Sequence, residues 1–312
     1  MKNFLHILSW IVISTVVLSC EKDIFINTPS AEDQLSIEGW IFNDETPVVL
    51  LSSTFPAYGK FDLLNIIDSL YLSGANVTVE NNGTVYTLHE VRLSQLPALQ
   101  QAQVAELFEV PPAFAFIFSN IPVYTDTTGS LIGQIGGQYK LEVEFEDKML
   151  DAVTTIPFPP AAIDSLTFRI EEDIDTLATV FLNLTVPNIT DGFIRYSTRR
   201  NNEAFLFPSI TGSVFDSGVF AGETLRLPLE RGYARLDSTD RDISEFGLFV
   251  VGDSVTLRWQ NIDRATYDFW YTIENDGGAT PFSNPTTIKT NVNGGLGIWG
   301  GYHNSFYSVF IQ

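Results

Sequence analysis

Cysteine and histidine are nearly absent from this sequence. The 312 residues include one cysteine, Cys20, and three histidines, of which only His89 and His303 follow it. A single thiol excludes an internal disulfide, so the folded chain depends on its apolar core. Two histidines about two hundred positions apart give no zinc or iron spacing, and no H-E-x-x-H pattern occurs. We therefore expect no metal and no other cofactor, and both histidines at surface or turn positions.

Basic residues are also scarce. Lys and Arg number 17 against 38 Asp and Glu, which gives a formal net charge of −21. Nucleic acid is bound through Lys and Arg contacts to phosphate, so an acidic surface excludes nucleic acid as an expected partner. The same charge argues against electrostatic docking on anionic lipid and favours solubility at a cell surface.

A long apolar run occurs only at the N-terminus. It extends from Phe4 to Leu18, 15 residues, whereas a transmembrane helix needs roughly 20. Lys2 precedes the run, and Val17, Leu18 and Ser19 lead into Cys20 as in a bacterial lipobox. We expect residues 1–19 to be a signal peptide. Residues 20–33 then form a tether whose cysteine thiol takes a diacylglycerol with chains such as palmitate. Two or three acyl chains hold a protein at a membrane because each buried methylene contributes about 0.8 kcal/mol.

Long stretches of 3.6-residue periodicity are lacking, whereas two-residue alternation is frequent. In the segment 139–146 the apolar residues alternate with Lys and Glu, which predicts a strand with one buried and one wet face. Segments 180–186 and 255–260 repeat this pattern, and segment 75–80 leads into Asn82-Gly83, a hairpin signal. The fold class is therefore predicted to be mainly all-β.

Two segments interrupt the strands. Leu93 to Phe108 is rich in Leu, Ala and Gln and predicts one short inserted helix. The segment 156–162 holds three prolines within four residues, which indicates a domain boundary. We expect two β-sandwich domains, an immunoglobulin-like one over residues 34–157 and a second β-rich one over residues 158–312.

Motifs for catalysis are weak. Gly295 to Gly300 spells G-x-G-x-x-G, but only twelve residues follow it, so a glycine-rich loop or a bulged strand packed near Trp299 is predicted instead of a dinucleotide site. No G-x-S-x-G elbow occurs, and nothing selects a serine to act with His303. The acidic runs 171–175 and 237–242 lack EF-hand spacing and are expected to be solvated loops, with structural calcium as the alternative. No catalytic or metal residue is therefore proposed.

Five aromatic residues allow two interpretations. They could form a binding platform of the lectin type, or they could pack in the core, which we favour. Trp259 shares the apolar parity of Val255 and Leu257 and is expected inside. The five residues are Trp40, Trp259, Trp270, Trp299 and Tyr302.

Several strings together resemble one family. They are Cys20 to Asp23, QLSIEGWIFND at 34–44, GANVTV at 74–79, GGQYKLEV at 136–143, the turn into 163–166, and PFSNPTTIKTNVNGGLGIWGGY at 281–302. In this order the chain is similar to the Bacteroidota lipoprotein family known as domain of unknown function 4249.

The resemblance implies a lipoprotein of the outer membrane, often encoded beside a TonB-dependent receptor. Glu21, Lys22 and Asp23 resemble the acidic signal that exports such lipoproteins to the cell surface. The expected function is therefore non-enzymatic: an accessory or substrate-capture partner of a TonB-dependent transporter, facing outward, whose ligand is unknown. The alternatives are a surface adhesion protein without a transporter and, less favoured, a hydrolase.

Overall fold

Strands dominate the described part of the chain, and two α-helices lie among them there. The computed structural model describes residues 34–54, 70–107, 118–159, 163–188, 192–208, 210–233, 246–275 and 287–312. The elements are β1 Leu35–Phe42, β2 Val48–Ser53, β3 Asn76–Asn81, β4 Thr84–Arg92, α1 Ala98–Leu107, β5 Pro122–Thr125, β6 Gln138–Phe145, β7 Lys148–Thr155, β8 Ser165–Ile170, β9 Leu177–Thr185, β10 Phe193–Arg200, β11 Val214–Asp216, β12 Thr224–Leu229, β13 Phe249–Val250, β14 Ser254–Ile262, α2 Arg264–Glu274, β15 Val292–Asn293 and β16 Leu296–Phe310, with short 3-10 helices at Leu93–Gln95 and Ser217–Phe220.

Twelve strands form one large curled sheet in the order β11-β10-β14-β16-β1-β2-β5-β4-β3-β6-β7-β15. A smaller sheet joins β8, β12 and β13 to β9. Neighbours in the large sheet are antiparallel except β1 and β16, which run parallel from Ser36 opposite Leu296 to Phe42 opposite Tyr302. The predicted mainly-β fold is confirmed, while the immunoglobulin-like pair of sandwiches is not.

The alternation of residues along β1 and β16 separates two faces of the large sheet. On the first face, which we call the core face, Ile37, Ile41 and Trp299 pack in one apolar cluster. Further along the same face, Leu257 and Trp259 pack in a second cluster against the smaller sheet. On the opposite face, which we call the cleft face, Trp40, Phe42 and Tyr302 pack beneath the helices with residues of α1 and α2.

Gly39 shows how tightly the core face is packed. A Cβ atom there would lie 2.8 Å from Cε3 of Trp299 and 3.3 Å from Cγ2 of Val49. Only a residue without a side chain therefore lets the indole of β16 lie flat against β1. The indole Nε1 donates a hydrogen bond to the carbonyl oxygen of Tyr139 at 3.1 Å, which joins β16 to β6.

Several local predictions are confirmed. Tyr139, Leu141 and Val143 are buried on β6, and Asn82-Gly83 forms the β3–β4 turn with φ values of +52° and +78°. α1 lies within the predicted helical interval. The G-x-G-x-x-G string leads into β16, which continues as strand to Phe310, so a strand and not a helix follows these glycines.

Two predictions need correction. His303, expected on the surface or in a turn, is buried in the middle of β16, where its Nδ1 lies 3.3 Å from the Asn261 amide nitrogen. A second helix, α2, was not expected. The domain boundary after Pro157 stays a prediction, although β16 of the second half pairs with β1 of the first.

Candidate functional site

The predicted export and anchor residues lie outside the described residues. These are the lipobox residues Val17, Leu18 and Ser19, the acylated Cys20, and Glu21, Lys22 and Asp23 of the surface-export signal. Lipid attachment at Cys20 therefore stays a prediction. The described part of the chain contains no helix that is both long and apolar enough to cross a membrane.

A cleft opens on the cleft face of the large sheet, between the strands and the two helices. It encloses about 630 Å³, part of it open to solvent. Its lining residues are Glu38, Gly39, Trp40, Phe42, Gln103, Glu106, Leu107, Arg195, Phe207, Arg258, Gln260, Trp270, Ile298 and Tyr302.

Strand register explains which residues form the floor of the cleft. Side chains alternate between faces, so Glu38 and Trp40 of β1 point away from the core that holds Ile37. On β14, Arg258 and Gln260 alternate with the core residues Leu257 and Trp259 in the same way. Every residue of β14 after Ser254 is buried. The polar residues at alternate positions, which predicted a solvent-exposed face, therefore line a covered cleft.

The helix α1 covers one side of the cleft. It is fixed over the sheet through two of its glutamines: Gln100 Nε2 donates to Thr46 Oγ1 at 2.8 Å, and Gln103 Nε2 donates to Glu45 Oε2 at 2.7 Å. Both partners lie in the turn between β1 and β2. The next turn of α1 then places Glu106 against the floor of the cleft.

Glu106 forms a buried ion pair with Arg258. Arg258 Nη1 lies 2.7 Å from Glu106 Oε2, and the two side chains are only 8% and 13% exposed. Arg258 Nε also donates to Ser197 Oγ at 2.9 Å. Because these contacts satisfy the guanidinium from two sides, its planar group is held in one orientation in the cleft.

The helix α2 supplies the opposite wall. It begins after Asp263, whose side chain accepts a hydrogen bond from the Thr266 backbone at 2.8 Å and therefore acts as an N-cap. The same carboxylate accepts from Thr154 Oγ1 at 2.8 Å, which fixes the helix to β7. Trp270 then reaches the cleft, where its Nε1 donates to Tyr302 Oη at 2.9 Å.

Arg195 lies between two aromatic rings. Its guanidinium carbon is 3.4 Å from the centroid of the Trp270 ring and 3.7 Å from that of Phe207. Arg195 Nε donates to Ser213 Oγ at 3.0 Å. Stacking on both faces holds the side chain extended, so its edge is presented to the cleft with little conformational freedom.

Unpartnered polar atoms concentrate in this cleft. Seven buried side-chain nitrogen or oxygen atoms of the described residues lack a hydrogen-bond partner, and four of them belong to lining residues. These four are Glu38 Oε2, Trp40 Nε1, Gln103 Oε1 and Gln260 Oε1. A buried polar atom without a partner is costly, about 1–3 kcal/mol, and four such atoms belong to residues that line one cleft.

Burial also changes the acid–base behaviour of the lining. Desolvation raises the pKa of Glu38, because the cleft disfavours its charged form. Burial likewise raises the pKa of the Tyr302 hydroxyl, an effect that the nearby positive charge of Arg195 partly opposes. Tyr302 therefore stays protonated at neutral pH, and burial disfavours the charged form of Glu38.

The histidines and the acidic runs weighed in the sequence lie away from the cleft or outside the described residues. Neither histidine lines it: His89 is exposed on β4, and His303 has its pKa lowered by burial. Among the described residues, no group of three or more His, Cys, Asp or Glu side chains is placed to hold a metal ion. The acidic run 171–175 is a turn, whereas the run 237–242 lies outside the described residues.

Of the five aromatic residues considered in the sequence, two pack in the core and three line the cleft. Trp259 and Trp299 pack in the core, as favoured. Trp40, Trp270 and Tyr302 line the cleft instead. No local pattern marked Glu38, Arg195, Arg258 or Gln260 as site residues. The available signal was the presence of arginine and glutamine at alternate positions of strongly apolar strands.

Comparison with known proteins identifies one family. The sequence model of a family described as "Domain of unknown function (DUF4249)" matches residues 21–307. No curated protein matches the chain. The match begins directly after Cys20 and covers every lining residue of the cleft.

Proposed function

The chain belongs to the DUF4249 family, and on that premise we propose that it is a surface-exposed, non-enzymatic lipoprotein of the outer membrane that captures a small ligand for a TonB-dependent transporter. The observation that carries the capture role is the cleft. Its four unpartnered polar atoms and its aromatic lining match a site that is complete only with a ligand bound.

The anchor is the second part of the proposal. Acylation at Cys20 holds the domain at the outer membrane, and the resemblance of Glu21, Lys22 and Asp23 to a surface-export signal supports the extracellular side. The net charge of −21 keeps this surface soluble and away from anionic headgroups. Mass spectrometry of the purified protein should find an N-terminus at Cys20 carrying fatty acids, and a Cys20→Ser variant should lack them. An unprocessed Met1 start would contradict this part.

The transporter partnership is tested by affinity capture. The tagged protein, purified from detergent-solubilised outer membranes, should bring a barrel receptor with it, and the Cys20→Ser variant should not. Repeated recovery without a barrel would contradict the partnership. A deletion strain that loses surface attachment but grows normally on limiting nutrients would favour the adhesion role instead.

We also propose that the chain has two domains. An immunoglobulin-like part over residues 34–157 and a β-rich part over residues 158–312 would meet along β1 and β16. The prolines between residues 157 and 160 support this boundary, because they cannot donate to a strand ladder. Limited proteolysis should cut first within this segment.

A further inference from the structure

The guanidinium group of Arg258 is already compensated within the protein. It forms the buried ion pair with Glu106 at 2.7 Å. The carboxylate of Glu45, in the turn between β1 and β2, interacts with it electrostatically as well. A buried arginine with two carboxylates around it needs no anionic group from a ligand.

The guanidinium group of Arg195 also has partners of its own. Two aromatic rings enclose it, and its Nε donates to Ser213 Oγ. The hydroxyl and the backbone N–H of Ser213 both donate to the carboxylate of Glu274. Arg195 further interacts with the hydroxyl of Tyr302. Arg195 therefore belongs to a connected polar network in which a carboxylate lies one side chain away.

Glu38 is the lining carboxyl group outside these networks. Its Oε2 atom has no hydrogen-bond partner among the described residues, and burial raises its pKa, which disfavours the charged form. A carboxyl group accepts hydrogen bonds when it is ionised and also donates one when it is protonated. A hydroxyl group of a ligand satisfies Glu38 in either form, because a hydroxyl both donates and accepts.

The other unpartnered atoms of the cleft comprise acceptors and one donor. Gln103 Oε1 and Gln260 Oε1 are acceptors, and Trp40 Nε1 is a donor. The amide nitrogens of the two glutamines are already used, by Glu45 Oε2 at 2.7 Å and by Asn304 Oδ1 at 2.9 Å. Gln260 and Trp40 are only 2% and 6% exposed. An occupant that satisfies these atoms therefore has to carry both donors and acceptors.

We propose that the cleft binds a neutral sugar. This inference rests on the proposed capture function and names its ligand class. Each sugar hydroxyl is both donor and acceptor, so one ligand supplies donors to the two glutamine oxygens, an acceptor to Trp40 Nε1 and either group to Glu38. The C–H groups of the sugar ring contact the aromatic side chains of the lining, among them Phe42, Phe207 and Trp270.

Other ligand classes fit the lining less well. An acyl chain covers the aromatic rings but leaves the buried polar atoms without partners. An anionic ligand gains a counter-charge at Arg258 only by displacing Glu106, which then stays buried alone. A cationic ligand pairs with Glu38 but brings a like charge into a lining that holds two arginines. A neutral ligand with several hydroxyl groups avoids each of these costs.

The test measures the binding of disaccharides to the full-length protein by isothermal titration calorimetry. The detergent is an amine oxide, because a maltoside detergent would itself offer a sugar. The probes are maltose, cellobiose, lactose and diacetylchitobiose, each up to about 10 mM, with counterparts in which one hydroxyl is replaced by a carboxylate or an ammonium group. At least one neutral sugar should bind, and its charged counterparts should bind at least about tenfold more weakly. Binding of none of the four sugars, or tighter binding of a charged counterpart, would overturn the proposal.

Substitutions at two lining residues test the contacts. Trp40→Phe keeps an aromatic ring but removes the N–H, and it should weaken binding about three- to tenfold. Glu38→Leu should weaken binding to a similar extent, whereas Glu38→Gln keeps a donor and an acceptor and should change the affinity by less than about twofold. Trp259→Phe, on the core face of β14, is the matched control and should leave the affinity unchanged. Thermal unfolding verifies that each variant is folded. Unchanged affinity in both Trp40→Phe and Glu38→Leu would contradict the proposal.

Failure of the ligand class and failure of the transporter partnership are distinguishable. If no sugar binds but the barrel receptor is still captured, the ligand class is wrong and the partnership stands. If a neutral sugar binds and the lining variants weaken it, while no barrel is recovered, the ligand class stands and the partnership is wrong.

Discussion

At the scale of single residues, Glu38 is a buried carboxyl group of the cleft whose charged form is disfavoured by desolvation. Its Oε2 atom has no partner among the described residues, and desolvation raises its pKa above the ordinary value of 4.5. Tyr71 interacts electrostatically with Glu38, and the pKa of Tyr71 is raised by burial and by the Glu38 charge. The protein therefore bears an electrostatic cost at this position whenever Glu38 is ionised.

The first prediction concerns this cost. Below pH 4.5 the carboxyl is protonated in both folded and unfolded chains. As pH rises through the higher folded-state pKa, the unfolded chain loses its proton first, so the wild-type protein loses stability. Glu38→Gln has no such loss. Urea denaturation between pH 4 and 8 should show the variant gaining in free energy of unfolding relative to the wild type as pH increases, and a difference independent of pH would contradict the assignment.

Gly39 gives the second prediction. Gly39→Ala places a methyl group against Trp299 and should lower the free energy of unfolding by about 1–3 kcal/mol through overpacking. Trp299→Leu removes the ring that the methyl meets. In a double-mutant cycle measured by chemical denaturation, the cost of Gly39→Ala should therefore fall in the Trp299→Leu background. Additive costs would show that the crowding lies elsewhere.

At the scale of elements, α1 depends on its ion pair with the sheet. Glu106→Gln leaves Arg258 buried without its counter-charge, which we expect to lower the free energy of unfolding by about 3–5 kcal/mol. The exposed pair of Lys140 and Glu142, with both side chains 44% exposed, is the control. Glu142→Gln should change stability by at most about 1 kcal/mol. Similar losses in the two variants, measured by denaturant titration, would contradict the structural role given to Glu106.

How well the elements could be predicted depended on whether local pattern and tertiary context agreed. β6 and the β3–β4 hairpin were predicted because alternation and Asn82-Gly83 act locally. The helix α2 was missed because residues 264–274 are rich in Thr, Tyr, Phe and Trp, which favour strands, and packing overrides that preference. Asp263, the N-cap, was the one signal that could have indicated its start.

The candidate site was less predictable than the fold. Trp40, Trp270 and Tyr302 could be singled out as aromatic residues, but nothing local separates them from Trp259 and Trp299, which pack in the core. The difference arises from the register of β1, β14 and β16, which no short pattern encodes. Family membership was predicted from longer strings and is confirmed by the match over residues 21–307, while the Bacteroidota lineage stays an expectation.

At the scale of the whole molecule, the two predicted domains share a strand pairing. The apolar cluster of the first half includes Val292 and Trp299 from the second half. We therefore predict that residues 34–157 expressed alone will lack the near-ultraviolet circular dichroism of a packed core and will bind a hydrophobic dye. Retention of a cooperative unfolding transition in this fragment would instead support a boundary that separates two independently stable domains.

The parallel pairing of β1 with β16 also bears on the order of folding. Ile37 pairs with Gly297, about 260 residues later in the chain, and only with that pairing does β1 have a neighbour on each side. Contacts so distant in sequence form slowly. The large sheet therefore gains this pairing only once its last long strand has been synthesised, and we expect that step to come late in folding.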